Sequence, residues 1–331
     1  MNKLSIGKIR GLQQITTDSD IFVMCAMDHR GSLQKMISKE HPEKVGYEEM
    51  IEHKLELCAA LAPHASAVLL DPVFGAAQCI AGNVLPRDTG LLVSLEATGY
   101  SGTKEKRVTK PLENWDAQKI RKMGGSAAKL LVYYRPDLED LAQRQLNTIT
   151  QLAEGCAKID IAFLVEPVSY PIDGETGNPQ LFAAKKPNLV IETARQVTAL
   201  PIDVLKAEFP ADPEYEKDEG KLLELCRQLD SASRVPWVVL SAGVDYDTFC
   251  RQVEIACRAG ASGFLGGRAV WQEAMSISDA KERRHYLSTT AADRLKRLAE
   301  IAAKYAVPWY KKLGISAAKL TELPQEWYEI Y

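Results

Sequence analysis

The chain has 331 residues, room for one large domain or two ordinary ones, and its 46% hydrophobic and 26% charged composition is that of a folded globule. A formal net charge of −3 with dispersed basic residues disfavours nucleic acid as a partner. No apolar run approaches membrane-spanning length and the N-terminus lacks a signal-like apolar core, so no membrane association is expected and a cytoplasmic location is.

In chain order, short apolar runs recur at 21–28 (IFVMCAMD), 66–71 (SAVLLD), 90–96 (GLLVSLE) and 127–134 (AAKLLVYY). They continue at 160–166 (DIAFLVE), 202–208 (IDVLKAE), 236–243 (PWVVLSAG) and 262–267 (SGFLGG). Continuous runs of this length suit strands buried on both faces of a parallel sheet. Amphipathic segments of helical length separate them. In 245–260, Phe249, Val253 and Cys257 share one face and Gly260 closes the C-terminus; 114–125 ends the same way. Eight such units predict a single-domain α/β (β/α)8 TIM barrel over residues 1–304, although a doubly wound open sheet uses the same alternation. Residues 168–180 read as a long loop. Residues 305–331, with Trp309 and Trp327, read as a C-terminal appendage packed on the barrel or on a subunit interface. The seven cysteines form no CxxC pair and mostly sit in apolar stretches, which fits packed thiols in a reducing compartment.

Barrels of this kind gather function at the C-terminal ends of their strands. Polar residues end most of the runs: Asp28, Asp71, Glu96, Glu166 and Ser241, with Gly266, Gly267 and Arg268 after the eighth. Lys129 and Lys206 lie inside the fourth and sixth. A lysine among apolar walls and beside another cation has its charged form disfavoured, which exposes a lone pair able to attack a ketone. Lys206 is the candidate nucleophile and Lys129 the candidate neighbouring cation; the bland alternative has either lysine turned to solvent or paired with Asp203 or Glu208. Glu166, under the apolar AFLVEP strand end, is the candidate proton shuttle, with a raised proton affinity expected from burial. Ser241, Gly243, Gly266, Gly267 and Arg268 form a glycine-rich corner on the last two strands, suited to a phosphate. The histidines other than His29 fall in helix or loop stretches, so neither a catalytic metal nor any other cofactor is expected.

The stretches MDHRGSLQKMI, HASAVLLDPVFG, AKLLVYYRPD, FLVEP, DVLKAEFP, VPWVVLSAGVD and GASGFLGGRAVW resemble, in the same order, the class I tagatose 1,6-bisphosphate aldolases and the related sulfofructose 1-phosphate aldolases. The resemblance runs from about residue 20 to 275. It implies a Schiff-base barrel enzyme that releases dihydroxyacetone phosphate from a phosphorylated ketose, with Lys206 forming the imine and Glu166 as acid/base. It places Asp28 and Lys129 at substrate contacts and Ser241, Gly243, Gly267 and Arg268 at the C1 phosphate. His29, Arg30 and Asp71 are further substrate-binding candidates. His29 stands where the tagatose enzymes carry glutamine, and YYRPD and EPVSYP lean toward the sulfosugar relatives. A homodimer or homotetramer is the expected assembly. The reading of another class is a non-catalytic phosphosugar-sensing regulator.

Overall fold

The eight apolar runs become β1 (Phe22–Ala26), β2 (Ala67–Leu70), β3 (Gly90–Ser94), β4 (Ala127–Tyr133), β5 (Ala162–Val168), β6 (Val204–Ala207), β7 (Trp237–Leu240) and β8 (Gly263–Gly266) in the computed structural model. All pair in parallel, each with its sequence neighbour, and β8 returns to β1 to close the barrel. The structure describes residues 4–320, 322, 323, 325–329 and 331. Among these, no helix is long and apolar enough to cross a membrane.

Strand burial divides by parity, as a two-residue side-chain period requires. Phe22, Met24, Leu69, Leu92, Leu164, Val204, Val238 and Leu265 fill the barrel interior. Their alternates, including Val23, Val68, Val93, Leu130, Val165, Leu205 and Val239, meet the surrounding helices. Both faces are therefore apolar, which is why the runs look continuous in sequence. Each such side chain, fully buried, stabilises the fold by about 1.5–3 kcal/mol.

The helices that matter here include α1 (Ile6–Gln14), α2 (Tyr47–Leu61), α3 (Ala76–Ala81), α4 (Ala117–Lys122), α5 (Glu139–Lys158), α6 (Pro179–Val197), α7 (Glu219–Ala232), α8 (Tyr246–Arg258) and α9 (Ala292–Tyr305). Asp116, Asn178, Asp218 and Asp245 cap the starts of α4, α6, α7 and α8, each accepting from a backbone N–H one turn on. Such caps are worth about 1 kcal/mol each. Gly124 and Gly260 take positive φ of 91° and 120° just past α4 and α8.

The N-terminal end of the barrel is closed. Leu12 of α1 and Ile15 just past its end pack beneath Phe22, together with fully buried Trp309 from the short α10 (Trp309–Lys312). The Trp309 amide donates to the Asp20 carbonyl at 3.0 Å. Of the segment 305–331, positions 321, 324 and 330 lie outside the described residues. Since this end is sealed by side chains, the C-terminal rim is the place where strand-end groups can meet a ligand.

Candidate active site

On five of the strands the inward ladder changes to charged side chains as it nears the C-terminal rim. Met24 and Ala26 are followed two residues on by Asp28, and Leu92 and Ser94 by Glu96. Ala127 is followed by Lys129, Leu164 by Glu166, and Val204 by Lys206. Strand register sets these groups side by side: Lys129 pairs opposite Leu164, and Leu131 opposite Glu166. Five ionisable side chains from five strands thus form one layer above the hydrophobic plug.

Within that layer the charges alternate. Lys206 Nζ lies 2.7 Å from Glu166 Oε1, and Lys129 Nζ lies 2.9 Å from Glu166 Oε2. Lys129 also donates to Asp28 at 2.8 Å and to Glu96 at 2.6 Å. The second Glu96 oxygen accepts from the Leu131 amide at 3.0 Å. Lys129 has no exposed side-chain surface, and the Lys206 and Glu166 side chains only 5% and 9%. Buried charges are tolerable when each has partners of opposite sign at contact, and here each does.

This arrangement corrects two expectations. Burial alone pushes the Glu166 carboxyl up, but the charges of Lys129 and Lys206 outweigh it, so Glu166 sits below its ordinary range rather than above. The Lys129 charge, in turn, does not act bare upon Lys206. Burial would lower the Lys129 pKa, yet Asp28, Glu166 and Glu96 raise it well above the usual value, and Glu166 bridges the two ammoniums. Asp28 is likewise driven below its ordinary range: burial raises it, while the charge and hydrogen bond of Lys129 and the charge of Lys206 prevail. The alternative partners for the lysines are otherwise engaged. Asp203 pairs with Lys8 at 2.8 Å, and Glu208 accepts from the Ser169 amide at 2.7 Å.

His29 borders the layer. Its Nδ1 is 3.8 Å from Asp28 Oδ1 and its ring meets Trp271 edge-on with centroids 5.2 Å apart. Burial pushes its pKa down to about 3, against the pull of Asp28 and reinforced by Arg268, Lys54 and Lys206, so the imidazole is neutral. Arg30 donates to the Glu96 carbonyl at 2.7 Å and positions the end of β3. Asp71, a substrate-binding candidate by its place after β2, makes a different set of contacts. It has no exposed surface; it pairs with Lys54 at 2.9 Å and accepts from the Val73 and Phe74 amides at 2.9 and 2.8 Å. Its place is in the wall, where Lys54 also reaches the Met27 and His29 carbonyls.

The opposite side of the rim holds the glycine-rich corner. Ala242 and Gly243 both take positive φ, 49° and 83°, and the Val244 amide closes the turn on the Ser241 carbonyl at 3.0 Å. A Cβ on Gly243 would stand 3.0–3.2 Å from the Arg268 guanidinium, and one on Gly267 would stand 3.0 Å from the His29 ring. These two glycines let Arg268 and His29 close over the corner. Among the described residues the Ala242, Gly243 and Gly267 amides donate to no protein acceptor. Gly266 differs: a Cβ there would strike Phe249 of α8 at 2.7 Å, so it serves helix packing on the outer face.

Two contributors went unassigned in the sequence. Glu96 was visible as a strand-end acid, but nothing local tied it to Lys129. Lys54 lies on the apolar face of α2 with Met50, Leu57 and Leu61, a position where a lysine needs a buried anion. Among the described residues no three His, Cys, Asp or Glu side chains converge in a way that holds a metal ion.

The model of the DeoC/LacD family aldolases matches residues 22–273, from the first residue of β1 to beyond β8. The tagatose 1,6-diphosphate aldolase of Lactococcus lactis is 30% identical over 324 residues, covering 92% of this chain and 98% of that protein. An archaeal fructose 1,6-bisphosphate aldolase superposes with a TM-score of 0.58 at 20% identity, over 89% of this chain and 98% of its own. A Schiff-base-forming fructose 1,6-bisphosphate aldolase gives 0.57 at 20% identity, over 88% and 98%. The closed eightfold barrel, the match across it and the full-length relatives agree: the chain belongs to the DeoC/LacD family and is an aldolase, a lyase.

Proposed function

We propose that the enzyme is a class I aldolase that cleaves a ketose 1,6-bisphosphate, tagatose 1,6-bisphosphate foremost, to dihydroxyacetone phosphate and glyceraldehyde 3-phosphate. The observation that carries this reading is Lys206 on the inward face of β6, its amine 2.7 Å from the Glu166 carboxylate. The relative from Lactococcus lactis is named for the tagatose substrate, and one structural neighbour for Schiff-base formation.

In this reading Lys206 passes a proton to Glu166, and the free amine attacks the C2 ketone. Glu166 returns the proton to the carbinolamine hydroxyl, water leaves, and an iminium remains. Glu166 then takes the C4 hydroxyl proton, the C3–C4 bond breaks, and its electron pair runs into the iminium to give a neutral enamine and the departing aldehyde. Protonation of C3 by Glu166 and hydrolysis release dihydroxyacetone phosphate and restore Lys206. The electrostatics suit this shuttle. Whenever the Lys206 nitrogen is cationic, two positive charges hold Glu166 ionised and ready to accept. When it becomes neutral, one of them vanishes and burial drives Glu166 toward the protonated form, ready to donate. Lys129 keeps its charge throughout and, with Asp28, is proposed to contact substrate hydroxyls. Ser241, Gly243, Gly267 and Arg268 are proposed to hold the C1 phosphate, with free amides and a guanidinium facing it.

The reading is tested by cleavage of tagatose 1,6-bisphosphate, fructose 1,6-bisphosphate and 6-deoxy-6-sulfofructose 1-phosphate side by side, following dihydroxyacetone phosphate. Highest kcat/KM on the tagatose substrate is expected. Preference for the sulfosugar overturns the substrate assignment, and no cleavage of any of the three overturns the reading in favour of a phosphosugar sensor. A homodimer or homotetramer is proposed as the assembly, to be checked by light scattering.

A further inference from the structure

The rim opposite the glycine corner carries a cation that has no counter-ion among the described residues. A small hairpin, Ser101–Gly102 paired with Arg107–Val108, rises from the connection between β3 and β4. The Arg107 guanidinium carbon lies 4.8, 5.4 and 4.7 Å from the ring centroids of Tyr100, Tyr133 and Tyr170. Its Nε donates to the Lys104 carbonyl at 2.9 Å, and it pairs with no carboxylate among the described residues. Arg135 shows the contrast. Its guanidinium is closed off by Glu175, Asp137 and the Tyr170 carbonyl, the last at 2.7 Å. Ring faces attract a guanidinium but do not neutralise it, and the terminal nitrogens of Arg107 remain a free fork for a planar or tetrahedral oxyanion.

The cage stands over the charged layer. Tyr133 is four residues beyond Lys129 on the inward face of β4, which puts its backbone about 13 Å higher at strand rise, and Tyr170 follows two residues past the end of β5. The cage is also braced. Arg107 N donates to the Tyr170 hydroxyl at 3.3 Å, the Tyr133 amide donates to Thr109 at 3.0 Å, and Arg135 clamps the loop bearing Tyr170. Around the barrel, Lys206 on β6 lies between the glycine corner that follows β7 and β8 and this cage on the β3, β4 and β5 side. A chain held by an oxyanion at the corner and joined to Lys206 at its second carbon has its far end directed at Arg107.

We propose that Arg107, held among Tyr100, Tyr133 and Tyr170, grips the oxyanion on the substrate carbon farthest from the imine, a phosphoryl or sulfonyl group, and so makes the enzyme select doubly anionic ketoses. The inference deepens the function proposed above and rests on it. The test compares Arg107→Met and Arg107→Lys with the parent on tagatose 1,6-bisphosphate, 6-deoxy-6-sulfofructose 1-phosphate and tagatose 1-phosphate, which lacks the distal anion. Arg107→Met is expected to lower kcat/KM at least ~100-fold on whichever doubly anionic substrate the parent cleaves better, mostly through KM, and about threefold or less on tagatose 1-phosphate. Arg107→Lys is expected to recover about tenfold of the loss. The better substrate of the two tells phosphoryl from sulfonyl. Equal losses on all three substrates, or no loss on any, overturn the inference. Borohydride trapping of the parent with dihydroxyacetone phosphate separates the two levels: an adduct with no Arg107 selectivity sinks this inference alone, while no adduct sinks the imine reading beneath it.

Discussion

Two buried lysine–carboxylate pairs meet along β6 and the residue before it, and they are built for different ends. At the barrel floor Lys8 of α1 meets Asp203 at 2.8 and 3.0 Å, and Asp203 also accepts from the Phe163 amide at 2.8 Å. Three residues on, at the rim, Lys206 meets Glu166 at 2.7 Å. The floor pair has no second cation acting on it; burial of Asp203, helped by the charge of Asp160, outweighs Lys8, so that carboxyl is raised above its ordinary range. The rim pair is embedded among Lys129, Asp28 and Glu96, and two ammoniums hold Glu166 below its range. Near-equal contact distances therefore carry opposite proton affinities. A pair without a second cation stitches α1 to the barrel; a pair with a second cation behind it holds a carboxylate whose protonation follows the charge on its partner.

Breaking the rim pair is expected to cost the most activity. Lys206→Ala removes the nucleophile while Glu166 keeps Lys129, so cleavage should fall on the order of 10⁴-fold or more with little change in thermal midpoint. Glu166→Gln should lose about 10²–10³-fold in kcat yet still form a reducible imine, as mass spectrometry after borohydride would show. At the floor the balance reverses: Lys8→Met strands a buried carboxylate, costing about 3 kcal/mol in urea unfolding, while turnover stays within about threefold.

The smallest effect sharpens the contrast through pH. Glu166 is lowered in the folded state, so its contribution is present above the ordinary carboxylate range and is lost as pH falls through and below it. Asp203 is raised, so the folded state binds its proton more readily and its contribution runs the other way, declining as pH rises from the ordinary range toward the raised value. Urea unfolding followed from roughly pH 6 to 3 should show Glu166→Gln flattening the acid loss and Asp203→Asn steepening it. Slopes of the same sign in both variants would contradict the assignment.

Much of this frame was legible in one dimension. The run 202–208 became Val204–Ala207 and 127–134 became Ala127–Tyr133, because apolar strand residues and polar strand ends are local signals. Lys206 and Glu166 were legible for the same reason, as charges at the top of apolar ladders. What escaped was whatever depends on which strands become neighbours. The sign of the Glu166 shift required Lys129 to turn toward it, and Lys129 is satisfied by acids from three other strands. Asp71 carried the same sequence signal as Asp28, but Lys54 from α2 occupies it. Arg107 sits in a two-residue hairpin strand too short to show a periodicity, and its three rings arrive from separate segments.

The central claim, that the amine on β6 becomes covalently bound to a ketose phosphate, is met most directly by reducing the enzyme with borohydride in the presence of dihydroxyacetone phosphate and mapping the modified peptide. A single adduct on Lys206, absent from Lys206→Ala, is the expected result. An adduct on any other lysine, or none on an enzyme that still cleaves substrate, would contradict it.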